Sequence, residues 1–343
     1  MFQFKGFPQL CLLLVLIVLI APVCACQPAA WKDPSKHLVR FVTVEEGIQL
    51  EVLDWGGSGR AVVLLAGSGN TAHVFDDFAP KLTDCCHVYG ITRRGYGNSS
   101  NPPSGYDDQR LADDVLVVLN ALKIRSPVLV GHSMAGGELT TLANQHSDRL
   151  AGLVYLDALG DPRDWPASDP AYMALANKLP RAAGPQRPSE EESKSFSGYH
   201  AWQRRTLKFG FPESELHNMF VTNPDGTMGG PKASQSVSEA IGKGQKKRDY
   251  SKIRLPVLAI FEFPITLSKL PHPDVHPSEN AEERTAFDAF NSATAAYVQR
   301  WMDNLTSGVP GARFVDLPGA GHFIFLTRET EVLKAVHTFV AGL

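Results

Sequence analysis

The run Val128-Leu129-Val130-Gly131-His132-Ser133-Met134-Ala135-Gly136-Gly137 decides how the rest of the chain is read. Residues 127–131 form an apolar, β-branched run of strand length, and residues 134–146 follow with apolar side chains at helical spacing. Between them the chain must turn sharply. Gly131, Ala135, Gly136 and Gly137 are small enough to let strand and helix pack closely around the bend. Ser133 stands at its tip, where strained backbone would hold the Oγ exposed, as a nucleophile requires. Serine in a glycine-rich turn also serves as a helix cap; the strand before and the helix after favour the nucleophile.

The same rhythm extends in both directions. Strand candidates are residues 38–44, 48–54, 61–66, 86–92, 127–131, 151–157, 256–262 and 313–317. The first two, split by Glu46-Gly47, read as a hairpin. The other six are continuous hydrophobic runs, as expected of strands buried on both faces of a parallel sheet. Helical candidates at 71–82, 107–122, 134–146, 281–305 and 329–340 lie between strands and supply the crossovers. The fold class is α/β: an eight-stranded, mostly parallel sheet flanked by helices.

Between residues 160 and 251 the alternation stops. This stretch is rich in Pro, Ser, Gly and charge, and it carries Trp165, Tyr172, Phe196, Tyr199, Trp202, Phe209, Phe211 and Phe220. It is too long for a structureless loop inside a compact domain. The expectation is a largely helical cap, residues 161–250, inserted into a core formed by residues 26–160 and 251–343, with a flexible turn at 223–230.

Composition excludes several partners. Of 343 residues, 43% are hydrophobic and 20% charged, and the net charge of -3 provides no basic field of the kind nucleic acid attracts. The one dense basic run, Lys246-Lys247-Arg248, reads as a solvated loop. No Cys/His spacing of metal-ligand type is present, so no structural metal is expected. Adjacent Cys85 and Cys86 read as buried thiols, with a strained vicinal disulfide as the alternative.

The N-terminus is a separate object. Lys5 precedes an apolar stretch from Leu10 to Ile20 and then Ala21-Pro22-Val23-Cys24-Ala25-Cys26, a pattern of secretory signals. The stretch is short for a membrane span, which takes about 20 residues. Cleavage after Ala25 would remove residues 1–25 and leave Cys26 first. Val-Cys-Ala-Cys resembles a bacterial lipobox, in which Cys26 would carry a lipid tether. A secreted or cell-envelope protein is expected, lipid-anchored or free.

The turn at Ser133 resembles the nucleophile elbow of α/β-hydrolases, with Ala135 where the second glycine of the pentapeptide usually stands. Further along, Gly319-Ala320-Gly321-His322-Phe323 follows the last strand, where that family places its histidine base. Thr92-Arg93-Arg94-Gly95-Tyr96-Gly97-Asn98-Ser99 resembles the family's Arg-Gly-x-Gly-x-Ser loop, and Arg94 reads there as structural. The resemblance implies oxyanion donors from the N–H of Met134 and from the loop Ala66-Gly67-Ser68-Gly69-Asn70, where Ser68 N–H is the choice. The acid is where the pattern departs. Phe261-Glu262-Phe263-Pro264-Ile265-Thr266 lacks the Asp usual after that strand, leaving Asp157, Glu262 and Asp274 as candidates. Asp157, at the end of the sixth strand, is preferred; its competing role is a turn-forming Asp.

Serine rather than a carboxylate at the elbow implies an acyl-enzyme and argues against epoxide-opening or dehalogenating relatives. The expectation is a cofactor-free serine hydrolase of the esterase or lipase type, acting on a small ester with an apolar group. Two rivals remain: a degenerate, non-catalytic ligand-binding protein of the same fold, and a cofactor-free perhydrolase or haloperoxidase.

Overall fold

A computed structural model describes residues 31–164, 166–179, 187–263 and 280–343. The expected signal segment, Cys26, Trp165 and Asp274 lie outside the described residues.

Eight strands form one sheet: β1 (Leu38–Glu45), β2 (Ile48–Gly57), β3 (Arg60–Leu65), β4 (Cys86–Ile91), β5 (Val128–His132), β6 (Gly152–Leu156), β9 (Val257–Phe261) and β10 (Arg313–Asp316). Strands β7 (Phe220–Thr222) and β8 (Met228–Pro231) make a separate antiparallel hairpin. The main sheet runs in the order β1-β2-β4-β3-β5-β6-β9-β10. The pairs β1/β2 and β2/β4 are antiparallel, and the rest are parallel.

The hydrophobic runs are continuous because both faces of the central strands are buried. Val62, Leu64, Val128, Val130, Val154, Leu156, Leu258 and Ile260 face one core cluster. Val63, Leu65, Leu129, Leu153, Tyr155, Val257, Ala259 and Phe261 face the other. The second cluster is closed by α1 (Asp108–Ala121), α2 (Gly136–His146) and α8 (Ala281–Gly308). The first is closed by the C-terminal helices α9 (Ile324–Thr327) and α10 (Glu329–Ala341), together with Phe75 and Phe78.

The single helix expected at 71–82 is instead two 3-10 turns, Ala72–Phe75 and Ala79–Leu82. Thr71 caps the first, and Pro80 in the second lacks the N–H that a continuous helix would need. Both turns still bury their apolar residues.

The inserted stretch carries α3 (Pro170–Ala176), α4 (Glu190–Ser193), α5 (Phe196–Thr206), α6 (Glu213–Met219) and α7 (Gln235–Gly244), with the β7/β8 hairpin between the last two. What was expected as a flexible turn at 223–230 is this hairpin's connection: Asn223 N–H donates to Thr227 O at 2.9 Å, and β8 begins at Met228. Most cap aromatics serve packing. Phe196 and Phe211 join the first core cluster with Tyr199, Phe209 and Phe220 packed against it.

Candidate active site

All parallel strands end at one edge, where loops collect side chains from distant parts of the sequence. In register, His132 of β5 lies beside Leu156 of β6, which lies beside Ile260 of β9. Ser133 and Asp157, which follow directly, and Glu262, two residues past Ile260, therefore gather at this edge. His322 arrives from the loop after β10.

The structure brings three of the sequence-selected residues together. Ser133 Oγ lies 2.9 Å from His322 Nε2, and His322 Nδ1 lies 2.6 Å from Asp157 Oδ2. The chemically consistent tautomer has Nδ1–H donating to the carboxylate and Nε2 accepting from the serine hydroxyl. Ser133 and Asp157 both have left-handed backbone, at φ 55° and 46°. Such conformations cost non-glycine residues about 1–3 kcal/mol each and gather at functional sites. The bend at Ser133 is tight: a Cβ on Gly136 would come within 2.1 Å of Ala158 O. Ala135, the departure from the usual pentapeptide, is buried in the second core cluster.

Glu262 makes neither a hydrogen bond nor an ion pair with His322. Its carboxyl is buried, Oε1 has no hydrogen-bond partner, and the Gly319 and Gly321 amides lie against it. Burial and the neighbouring Asp157 charge raise its pKa to about 7, against the pull of those amides and of His322. For His322, partial loss of water on the cavity wall would by itself lower the pKa. The hydrogen bond and charge of Asp157, with the charge of Glu262, outweigh it, and the net shift is upward.

The loop after β3 packs directly on the serine. A Cβ on Gly67 would lie 3.1 Å from Ser133 Cβ. Ser68 follows, exposed, and Met134 is the second residue of the turn after β5, where leading N–H groups have no intrahelical acceptor. Arg93 fixes this loop, donating to Ala66 O at 2.8 Å and Gly67 O at 3.4 Å while its Nε pairs with buried Glu138 at 2.5 Å. In a trans peptide the N–H points opposite to the C=O, so holding Gly67 O sets the direction of Ser68 N–H. Arg94, by contrast, is bound through Nε and Nη2 to Asp114, away from the serine.

Two further contacts were not foreseen from sequence. Buried His132 places Nε2 3.0 Å from His322 O, holding the histidine loop by its backbone. Burial and the nearby His322 keep His132 well below the ordinary imidazole pKa. Its neighbour in that loop, Phe323, is packed by Phe209 and Phe211 of the cap at 5.1 and 5.0 Å between ring centres. Position beside the serine was the available signal for His132; nothing local marked the aromatic contacts.

The triad opens into a cavity of about 880 Å³ lined by Met134, Leu159, Tyr172, Arg248, Phe261 and Val298 among others. Of the eight cap aromatics singled out in the sequence, Tyr172 is the one that lines it among the described residues. The reading of Lys246-Lys247-Arg248 as a solvated loop needs correction: Lys246 and Lys247 are exposed, but Arg248 turns inward and is buried. Cys85 and Cys86 are free cysteines.

A second polar cluster lies beneath α6. Asp76 accepts hydrogen bonds from His37 Nδ1 (2.9 Å), Trp55 Nε1 (3.0 Å), His73 Nδ1 (2.9 Å) and Ser214 Oγ (2.6 Å). Beside it, buried Glu215 accepts from Asn70 Nδ2 at 2.9 Å, Thr71 N–H at 3.0 Å and Thr71 Oγ1. The cap is thus tied to the same loop that follows β3. Burial disfavours charge on His73, yet the hydrogen bonds and charges of Asp76 and Glu51 raise its pKa to about 10. Asp76 is pulled well below the usual carboxylate range by His37 and His73 despite its burial. Burial raises Glu215 to about 7, only partly opposed by Thr71 and Asn70. Asp33, His37, His73 and Asp76 could offer four ligand atoms within 4.8 Å of one another. With both Asp76 oxygens already taken by donors, the cluster is read as a clamp.

Against known proteins, a family model described as "Alpha/beta hydrolase family" matches residues 62–335. A non-heme chloroperoxidase of Kitasatospora aureofaciens is 36% identical over 120 residues, which are 34% of this chain and 43% of that protein. A bifunctional esterase/perhydrolase of Acinetobacter calcoaceticus is 26% identical over 233 residues, 64% of this chain and 80% of that one. The chain spans under half the length of several curated relatives it matches, at 43%, 45% and 37%. Among solved structures, E-2-(acetamidomethylene)succinate hydrolase superposes with a TM-score of 0.64 at 19% identity, covering 89% of this chain and 99% of that one. The thioesterase domain of a curacin biosynthetic pathway does so at 0.61 and 15%, covering 88% and 99%.

Proposed function

Since this chain belongs to the alpha/beta hydrolase family, we propose that it is a serine hydrolase cleaving a carboxylic ester or related acyl bond of a small molecule. The observation that carries this reading is the unbroken relay from Ser133 Oγ through His322 to Asp157, at 2.9 and 2.6 Å, on the wall of a cavity. His322 takes the serine proton as Oγ attacks the carbonyl, and Asp157 orients the ring and stabilises the imidazolium. The N–H groups of Met134 and Ser68 receive the developing oxyanion. His322 then protonates the leaving group and activates the water that frees Ser133. No cofactor takes part in these steps.

The test is direct. A fluorophosphonate should label Ser133, and p-nitrophenyl esters of graded chain length should be turned over by the wild type but not by Ser133→Ala. An unlabelled Ser133 with no ester turnover would favour the non-catalytic ligand-binding rival.

The names of two relatives, a chloroperoxidase and an esterase/perhydrolase, favour a second reading. Hydrogen peroxide would replace water at the acyl-enzyme and leave as a peracid, with the proton again passing through His322. Turnover that requires peroxide and a carboxylic acid would select it.

We also propose export through residues 1–25, with Cys26 as the first mature residue and the point of any lipid tether. Intact-mass measurement on protein recovered from the native envelope checks this, and a retained Met1 would overturn it.

A further inference from the structure

The chemistry above leaves Arg248 without a task. Its side chain is buried, with Nη1 over the first turn of α2: a Cβ on Gly137 would come within 2.3 Å of that atom. The bare backbone of Gly137 is what admits it. Burying a guanidinium is costly unless acceptors meet its five N–H donors. Among the described residues none does. The Asp108 Oδ2 oxygen lies 3.8 Å from Nη1, an ion-pair distance without a hydrogen bond, and that oxygen already accepts Lys246 N–H at 2.8 Å. Asp161 accepts the main-chain N–H of Arg248 at 3.3 Å, not its side chain. Nε has no partner. Yet Arg248 lines the cavity that holds Ser133 and His322, beside the positive N-terminal end of α2.

We propose that Arg248 binds a carboxylate carried by the substrate, so that the preferred substrates are acyl compounds with a free carboxylate a few atoms from the scissile carbonyl. The proposal rests on the serine-hydrolase reading of the same cavity and narrows its substrate class. The planar fork of arginine matches a carboxylate with two parallel hydrogen bonds. Leu159, Phe261 and Val298 on the same cavity wall supply apolar contact for the methylenes between the two groups. Asp157, the carboxylate of the same wall, is engaged through Oδ2 by His322.

The experiment compares p-nitrophenyl monoglutarate with its neutral methyl ester, which differs by one charge. Wild-type kcat/KM should favour the monoglutarate by about tenfold or more. Arg248→Gln should bring the ratio to about one. Arg248→Lys should fall between, since it keeps the charge and loses the fork. Melting temperatures of both variants separate recognition from misfolding. In parallel, Ser133→Ala protein is titrated with monomethyl glutarate, and adding Arg248→Gln should weaken binding by about tenfold or more. A wild-type ratio at or below one, a ratio unmoved by Arg248→Gln, or equal binding by the two titrated proteins would overturn the proposal. If neither ester turns over and fluorophosphonate leaves Ser133 unlabelled, the hydrolase reading has failed, and the titration alone decides on Arg248.

Discussion

Two of the histidine–aspartate pairs among the described residues, His322–Asp157 and His73–Asp76, have opposite surroundings. His322 and Asp157, 2.6 Å apart, stand at a cavity, with the imidazole about half exposed (48%) and its other nitrogen turned to a serine. His73 and Asp76, 2.9 Å apart, are sealed under the cap, with a second histidine, a tryptophan and a serine also donating to the carboxylate. In the first pair the carboxylate has capacity to respond as charge develops on the ring. In the second every acceptor site is engaged, and His73 is held charged. Identical residue types thus give a proton relay in one place and a fastener in the other, and accessibility together with a neighbouring hydroxyl decides which.

Ser133→Ala should separate the two regions most sharply. Turnover of p-nitrophenyl esters should fall by about 10⁴-fold or more, with only the oxyanion donors and binding left, while the melting temperature holds. Retained turnover in a pure preparation would remove the relay from the mechanism.

Asp157→Asn should cost about 10³- to 10⁴-fold in kcat by favouring the wrong histidine tautomer. Asparagine tolerates left-handed backbone, so the melting temperature should change little. Glu262→Gln should cost about tenfold or less, because the hydrogen bond to the ring comes from Asp157. The reverse ranking would move the acid to the end of β9.

Asp76→Asn should show the converse. It removes one of the two carboxylates that hold buried His73 charged, and breaking a buried pair costs about 3–5 kcal/mol in comparable sites. Melting should fall clearly, and the kcat of the folded fraction should change far less than in Asp157→Asn.

The pH dependence of stability should carry the same signature. The contribution of His73 is complete below its ordinary value of 6.5 and is lost as pH rises through about 10. Glu215, raised to about 7, works in the same direction from 4.5 upward, since its ionised form is the disfavoured one. Asp76, held low, contributes above 3.8 and loses its effect on acidification below that. Melting temperature should therefore decline from pH 6.5 to pH 10, and Asp76→Asn should flatten the decline. A flat wild-type profile would contradict the charge assigned to His73.

The smallest effect belongs to the base. His322 must be neutral to act, and its pKa is raised, so the acid limb of kcat/KM against pH should sit above the ordinary imidazole value. Glu262→Gln removes one of the charges that raise it, and the limb should move down. An upward move would contradict the coupling between Glu262 and His322.

The sheet was legible because its central strands are buried on both faces, and unbroken apolar runs such as 127–131 and 256–262 have few other meanings. Ser133 and His322 were legible because each sits in a local sequence context tied to a strand end. The acid was not, because nearness at that edge is a matter of register: Asp157 and Glu262 follow adjacent strands, and only three-dimensional geometry shows which one meets the ring. Arg248 and the Asp76–Glu215 cluster were hidden for a related reason. Their partners lie far away in sequence, as with Glu215 and Asn70, 145 residues apart, and a basic tripeptide gives no sign that its third member turns inward.

The left-handed backbone at Ser133 and Asp157 has a bearing on how this protein could be improved. At each position glycine would relax the backbone, since it alone populates that region freely, and at each it would delete a member of the relay. A library screened for heat resistance alone would therefore be expected to enrich inactive sequences at these two strand ends. Selection would have to couple survival at high temperature to product formation in every round.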